Sequence, residues 1–169
     1  MFNWFKKGKK FFITFYLDKY FNQISEMEEE RQGWSAHIIG NFIASKNNFV
    51  VLITDETYNS VFAYSFCSYD GFRLEIHKIE SKFKGFKNFL LENLLSRSKE
   101  IYFNVHEKET SFLCELRDKY KFKSIELVKE YFNDLEGNYD AVRMRLIQTE
   151  DERKAYCQTT SEVPVESQV

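Results

Sequence analysis

The segment from Ile79 to Leu90 reads Ile-Glu-Ser-Lys-Phe-Lys-Gly-Phe-Lys-Asn-Phe-Leu. A strand-like apolar run, residues 72–79, ends where this segment begins, and apolar residues then recur at the spacing of a helix. Those residues are Phe83, Phe86, Leu90 and Leu94. A strand that enters a helix through a short loop containing Gly commonly turns backbone N–H groups toward a phosphate. The segment therefore predicts a strand-to-helix junction suited to an anion.

The chain before this junction predicts one strand, two helices and two further strands. Residues 11–17 indicate the first strand. Asp18 is expected to cap the first helix, and Ser35 or a neighbour the second. Residues 49–54 and 60–68 are strand-like runs that form an antiparallel meander with 72–79. The acidic run in the first helix is interpreted as its solvated end. It comprises Glu26, Glu28, Glu29 and Glu30.

After the junction, the helix is expected to end near residues 96–98. A strand at 101–105, a helix capped by Thr110 or Ser111, and strands at 122–132 and 139–147 follow. The predicted order is βααβββαβαββ, in one domain spanning residues 11–147. Residues 1–10 are interpreted as a basic aromatic arm, and residues 148–169 as a disordered polar tail.

Composition excludes several classes of protein. The 169 residues carry a formal net charge of −2, so the chain has no overall electrostatic footprint for nucleic acid. No apolar run approaches a transmembrane span, and the N-terminus lacks the features of a secretory signal. The odd number of cysteines, without ligand spacing, favours free thiols in the cytoplasm and argues against a zinc or other metal site. The cysteines are Cys67, Cys114 and Cys157.

The element order and the junction resemble the GNAT superfamily of acyl-CoA N-acyltransferases. In that family the fourth strand runs into the pattern Val-x-Pro-x-Tyr-Arg-Gly-x-Gly-x-Gly, and a later helix ends in Leu-Tyr-x-Lys-x-Gly-Phe. Residues at matching positions here are Ile79, Phe83, Lys84, Gly85 and Leu90, then Leu116, Lys119 and Phe122. The resemblance implies an α/β (α+β) fold with a mixed, mostly antiparallel central sheet flanked by helices.

The resemblance also implies acetyl-CoA as cofactor. Its pyrophosphate would lie on the amides of the junction and its pantetheine arm between the fourth and fifth strands. The implied cofactor-binding residues are Ile79, Lys84, Gly85, Phe86, Lys87 and Asn88. The chain departs from the family pattern at Lys87 and Phe89, which replace glycines, and at Arg117, which replaces the usual tyrosine acid. A Phe side chain near a phosphate would occupy space that glycine leaves open.

Acyl transfer to an amine needs a base for the ammonium and an acid for the departing thiolate. Glu75 on the fourth strand is the first candidate for the base and His77 the second; strand alternation places both on one face with Arg73 and Ile79. Tyr120 is the candidate acid. The structural alternative is that Glu75 pairs with Arg73, His77 is a satisfied polar residue, and Tyr120 is a core aromatic.

Three other features carry weaker signals. His106 and Glu107 follow the fifth strand, where the family often contacts the cofactor, but a loop His beside a Glu is typical of a surface pair. Cys114 has apolar neighbours and no His at contact spacing, which argues against a nucleophile. The cluster Lys82, Lys84 and Lys87 indicates either an anion site or a solvated helix start.

Two functions from different classes stay open on the sequence. The first is a divergent N-acyltransferase that moves an acetyl group from acetyl-CoA to an amine of a small molecule or protein. The second is a GNAT-like fold without catalysis that serves as a binding or structural protein. Examples of the second are a component of a bacteriophage virion or an inhibitor of a host protein, with an assembly partner and a location in the host cytoplasm or virion.

Overall fold

The computed structural model describes residues 10–157, which contain seven strands and five helices. The strands are β1 (Phe11–Phe15), β2 (Asn48–Asp55), β3 (Val61–Tyr69), β4 (Arg73–Ser81), β5 (Glu100–His106), β6 (Lys123–Asp134) and β7 (Gly137–Ile147). The helices are α1 (Phe21–Glu30), α2 (Ala36–Ala44), α3 (Lys84–Leu95), α4 (Thr110–Asp118) and α5 (Glu150–Tyr156).

The strands form one sheet in the order β1-β2-β3-β4-β5-β7-β6. All neighbours are antiparallel except β4 and β5, which run parallel and pair only from Arg73 opposite Glu100 to Ile76 opposite Phe103. Beyond that last pair the two strands separate. The predicted fold class, a mixed and mostly antiparallel sheet flanked by helices, is confirmed.

Of the caps predicted for α1 and α2, the structure contains the one at α2 and lacks the one at α1. The Ser35 side chain accepts a hydrogen bond from the backbone N–H of Ile38 and caps α2, as expected. Asp18 does not cap α1, because residues 18–20 form a 3-10 turn that leads into the helix. The first strand also ends at Phe15, two residues before the predicted end.

The folded part of the chain continues past residue 147, which corrects the predicted start of the tail. Gln148 is 6% exposed, and its amide donates to the carbonyl oxygens of Leu95 and Ser98. Thr149 and Glu152 then form a reciprocal capping box that begins α5. Residues 1–9 of the predicted arm and residues 158–169 of the predicted tail lie outside the described residues.

The two faces of the sheet bury separate apolar clusters. One lies under α3 and α4, and the other lies under α1 and α2. Large buried members of the first include Phe86, Phe89, Leu90, Phe103 and Leu116. Large buried members of the second include Tyr20, Ile24, Trp34, Tyr64 and Phe66. The helices that flank the junction and the helices at the N-terminus thus lie on opposite sides of the sheet.

A bulge in β4 decides which side chains face each cluster. Ile76 pairs with Cys67 of β3, but Phe66 pairs with Lys78, so His77 is an extra residue in β4. An extra residue reverses the alternation of all later side chains. Ile79 therefore packs in the α3 cluster with Ile76. It does not share a face with Glu75 as strict alternation predicts.

The same reversal turns Lys78 toward α1, where it meets a buried carboxylate. Glu28 is 0% exposed, so this member of the acidic run is not solvated as expected. Its Oε2 lies 2.7 Å from Lys78 Nζ and also accepts the backbone N–H of Trp34, while Tyr64 donates to Oε1. A Cβ on Gly33 would lie only 2.1 Å from Glu28 Oε2. Glycine at this position therefore lets the α1–α2 loop close over the ion pair.

Gly33→Ala is expected to lower the free energy of unfolding by about 1–3 kcal/mol, because the added methyl overlaps a buried carboxylate and the Lys78 ammonium. Gly40→Ala is the matched control. Gly40 lies inside α2 with nothing within 4 Å of an added Cβ, so Ala should stabilise by up to about 1 kcal/mol. Urea denaturation measures both. Equal stability of the Gly33→Ala variant and the unmodified protein would show that the loop does not depend on this close approach.

Candidate functional site

The separation of β4 and β5 leaves a cavity of about 170 Å³ between the two strands. Ile79, Phe103 and Phe112 line it from the side of α3 and α4. Lys78 and Asp134 line it from the side of α1, where each is about 10% exposed or less. The cavity therefore meets both faces of the sheet, with mostly apolar side chains and Glu109 on one side and charged groups on the other.

The charged wall is built around Lys78. Its Nζ forms the ion pair with Glu28 and lies 3.9 Å from Asp134 Oδ1, an oxygen without a hydrogen-bond partner among the described residues. Burial raises the pKa of Asp134, and the nearby Lys78 and His106 lower it in part. Burial likewise raises the pKa of Glu80, whose carboxylate lies 3.2 Å from Arg31. The cavity thus holds two carboxyl groups whose neutral forms are favoured by desolvation.

The His106 ring faces the charged wall of the cavity and not Glu107, the next residue in the sequence. The backbone N–H of Lys108 donates to His106 Nδ1, which assigns the ring proton to Nε2. Nε2 lies 3.5 Å from Asp134 Oδ2, and the ring stacks on Phe132. The expected surface pair with Glu107 is therefore not the contact this ring makes. No local pattern could have indicated Asp134, since it is the last residue of β6 and lies far from His106 in the sequence.

Glu75 lies below the cavity, where β4 and β5 still pair. Its Oε1 accepts hydrogen bonds from Asn104 Nδ2 at 2.7 Å and from Arg143 Nη2 at 3.0 Å. Arg73, the partner that the structural alternative gave it, instead pairs with Asp70. Asn104 lines the cavity, whereas Glu75 does not. Glu75 is therefore connected to the cavity by its hydrogen bond to the Asn104 side chain.

His77, the extra residue of β4, belongs to the same polar network. Its Nε2 lies 2.8 Å from Ser68 Oγ and its Nδ1 lies 2.5 Å from the Tyr131 hydroxyl. Asn104 donates to that hydroxyl and joins His77 to Glu75. Burial lowers the pKa of His77, Glu75 opposes this shift and Arg143 adds to it. The structure thus brings the two candidate bases into one network.

Tyr120 is not part of that network. It is 2% exposed in the cluster under α3 and α4, on the opposite side of the sheet from Glu75. Its hydroxyl donates to Glu92 Oε1 at 2.9 Å and accepts from Lys119 Nζ. Burial and the Glu92 carboxylate raise its pKa. This arrangement matches the alternative of a core aromatic.

The implied cofactor residues fall into two groups. Ile79 and Phe86 are 3% and 0% exposed in the core, so only their backbone could meet a ligand. Lys84 and Gly85 are the first residues of α3, whose N-terminus has no side-chain cap. The Lys84 side chain is exposed there. This end of α3 offers amides and a cation to an anion.

The other two implied residues, Lys87 and Asn88, form polar contacts with α4 and with Glu109, the residue before it. Lys87 Nζ lies 2.7 Å from Glu109 Oε2 and 4.0 Å from the centre of the Phe112 ring. Asn88 donates to Glu115 Oε1. Phe89 is 5% exposed within the core, so its ring lies away from the helix N-terminus and does not fill the space over the amides. The parts that fit acetyl-CoA are therefore the uncapped start of α3 and the unpaired edges of β4 and β5.

Comparison with solved structures decides the fold. The ribosomal-protein-S18-alanine N-acetyltransferase of Escherichia coli aligns with a TM-score of 0.65 at 14% identity, over 81% of this chain and 93% of that one. Arabidopsis thaliana NAA60 in complex with acetyl-CoA aligns at 0.64 and 8% identity, over 81% and 98%. Spermidine N-acetyltransferase from Vibrio cholerae in complex with CoA and spermine aligns at 0.61 and 16% identity, over 83% and 96%. The chain has the GNAT fold.

Sequence comparison adds no closer relative of this GNAT-fold protein. No protein-family model matches the chain, and no curated protein sequence matches it. Within residues 10–157, no helix has the length and apolar character needed to cross a bilayer. The described His, Cys, Asp and Glu residues form no group of three or more that could hold a metal ion.

The half-buried His77 predicts a loss of stability in mild acid. The unfolded imidazole takes up a proton near its ordinary pKa of 6.5, whereas the folded one resists protonation. Below about pH 6.5 the unfolded state therefore binds more protons, and the free energy of unfolding falls with a slope of up to about 1.4 kcal/mol per pH unit.

Urea titrations between about pH 5 and pH 8 measure this slope. His77→Asn should reduce the slope, whatever its effect on stability at neutral pH. His37→Asn is the control, since His37 is exposed on α2, where its ring is hydrogen-bonded to the Asn41 side chain. An unchanged slope in the His77→Asn variant would contradict the assignment.

Proposed function

We propose that this GNAT-fold protein is an acyl-CoA-dependent N-acyltransferase, which transfers an acetyl group from acetyl-CoA to an amine. The observation that carries the proposal is the cavity between β4 and β5, because it connects an apolar side to a side with carboxylates. The fold supports it, since each of the three aligned structures is an N-acetyltransferase or a relative crystallised with acetyl-CoA or CoA.

The donor side of the cavity would take the cofactor. An extended pantetheine arm can add to the unpaired edge of β4 beyond Ile76, as peptides do when they extend a sheet. The pyrophosphate would lie at the start of α3, on the amides of Lys84 and Gly85, with Lys82 and Lys84 supplying positive charge. Acetyl-CoA itself supplies the activated acyl group and the thiolate leaving group.

The acceptor side would remove a proton from the amine. Asp134 is the carboxylate that the cavity offers for this step, because one of its oxygens has no hydrogen bond and burial raises its pKa. His106 is placed to orient the other oxygen. In this assignment Glu75 and His77 hold Asn104 in position, and neither is the group that contacts the amine.

We also propose a cytoplasmic location, on the basis of the cysteines. Cys67, Cys114 and Cys157 are all free, as expected in a reducing compartment.

Acetyl-CoA is expected to raise the midpoint of thermal unfolding, since a ligand at about 100 times its dissociation constant adds about 2.7 kcal/mol. Lys84→Ala should weaken acetyl-CoA binding by about threefold to tenfold, because it removes one charge next to the phosphates. Lys46→Ala, an exposed lysine between α2 and β2, is the charge-matched control and should leave binding unchanged. Calorimetry measures all three proteins. The absence of both a thermal shift and binding heat would refute the proposed function.

Asp134→Asn is expected to lower kcat/KM by about 100-fold or more, the usual effect of losing a general base. Glu130→Gln in β6 is the control, because this side chain is exposed and lies outside the lining of the cavity. Glu75→Gln should cost less than about tenfold if Glu75 only positions Asn104. A large loss in the Glu75→Gln variant together with an active Asp134→Asn variant would assign the base to Glu75. Initial rates of CoA release with a panel of primary amines provide the measurement.

A further inference from the structure

The acceptor side of the cavity already contains a primary amine. The Lys78 side chain is 10% exposed, and its Nζ lies in the gap between β4 and β5, on the side opposite Ile79, Phe103 and Phe112. Its position is fixed by Glu28 at 2.7 Å, by Asp134 at 3.9 Å and by the Trp34 ring, whose centre is 5.6 Å away. An amine held in one place near the reacting thioester gains the advantage of proximity.

Other elements close the acceptor side around this amine. The backbone N–H of Leu135 donates to the carbonyl of Gly33 at 2.8 Å, and Trp34 forms a backbone bridge with Asp134. These contacts join the α1–α2 loop to the β6–β7 turn directly over Lys78. An external amine reaches this side of the cavity only when the contacts between the α1–α2 loop and the β6–β7 turn break. The Lys78 amine already lies beneath those contacts.

We propose that Lys78 is an acylation site of this protein, and that its amine receives the acetyl group from acetyl-CoA bound in the same cavity. This inference rests on the proposed function, since it needs the thioester to enter from the side of α3 and α4. Lys108 also lines the cavity, but its side chain is 59% exposed and its Nζ lies over the Tyr139 ring. Lys78 is the lysine whose amine the surrounding structure holds in the gap.

The transfer balances with groups that are present. The bond from Lys78 Nζ to the acetyl carbon forms, and the carbon–sulfur bond of the thioester breaks. Of the two protons that the ammonium loses, one passes to Glu28 and the other ends on the CoA thiol. Glu28 and Lys78 then become neutral together, so the reaction leaves no unpaired charge in the buried site. Trp34 and Tyr64 keep their hydrogen bonds to the carboxyl group.

The test is incubation of the full-length protein with acetyl-CoA, followed by peptide mass spectrometry of every lysine. Lys78 should gain one acetyl group at least about ten times faster than the exposed Lys46 or Lys99. Acetic anhydride gives the opposite order, because it modifies lysines by exposure and should reach Lys78 last. The Lys78→Arg variant keeps a cation beside Glu28 and should lose the fast acetylation without unfolding.

Three other outcomes would contradict the inference, and one of them would also contradict the proposed function. If acetyl-CoA binds and an added primary amine is acetylated while Lys78 stays unmodified, the inference is wrong and the proposed function stands. If acetyl-CoA labels lysines in the same order as acetic anhydride, the labelling is chemical and the inference is wrong. If acetyl-CoA neither binds nor modifies any lysine, the proposed function fails and the inference fails with it.

Discussion

The ion pair between Glu28 and Lys78 is the interaction on which the α1 side of this fold depends. Both charges are almost completely removed from water, and the loss of one partner of such a pair typically costs about 3–5 kcal/mol. Glu28 also accepts hydrogen bonds from Trp34 in the α1–α2 loop and from Tyr64 in β3. One carboxylate therefore fixes a helix, a loop and two strands relative to one another, and it keeps a lysine at the centre of the gap.

The ion pair exists because β4 contains one residue more than its partner strand requires. Without the bulge at His77, the alternation of the strand would turn Lys78 into the apolar cluster and Ile79 toward α1. The bulge is stabilised by the hydrogen bonds of His77 to Ser68 and Tyr131. It occurs at the point where β4 stops pairing with β5. The network around His77 thus has a structural consequence even where it contacts no substrate.

The sequence predicted the strands and the first four helices well, since apolar periodicity follows from burial on one side of each element. It failed where tertiary contacts override a local pattern. Glu28 lies among three exposed glutamates, and only the distant Lys78 explains its burial. The contact between His106 and Asp134 joins residues far apart in sequence, so spacing carries no signal for it. The bulge had the same effect on Ile79, because an extra residue leaves no mark in a strand-like pattern.

Lys87 and Phe89, which stand where the GNAT pattern has glycines, leave the start of α3 without a side-chain cap, and its first backbone amides belong to Lys84 and Gly85. Phe89 adds to the core, and Lys87 adds an ion pair with Glu109 that joins α3 to α4. Each side of the gap between β4 and β5 is therefore flanked by an ion pair between a lysine and a glutamate, Lys87 with Glu109 and Lys78 with Glu28. Since screening is weak in partly buried sites, both pairs resist salt better than surface pairs do. A molecule that entered the gap from either side would therefore meet one of these two lysines.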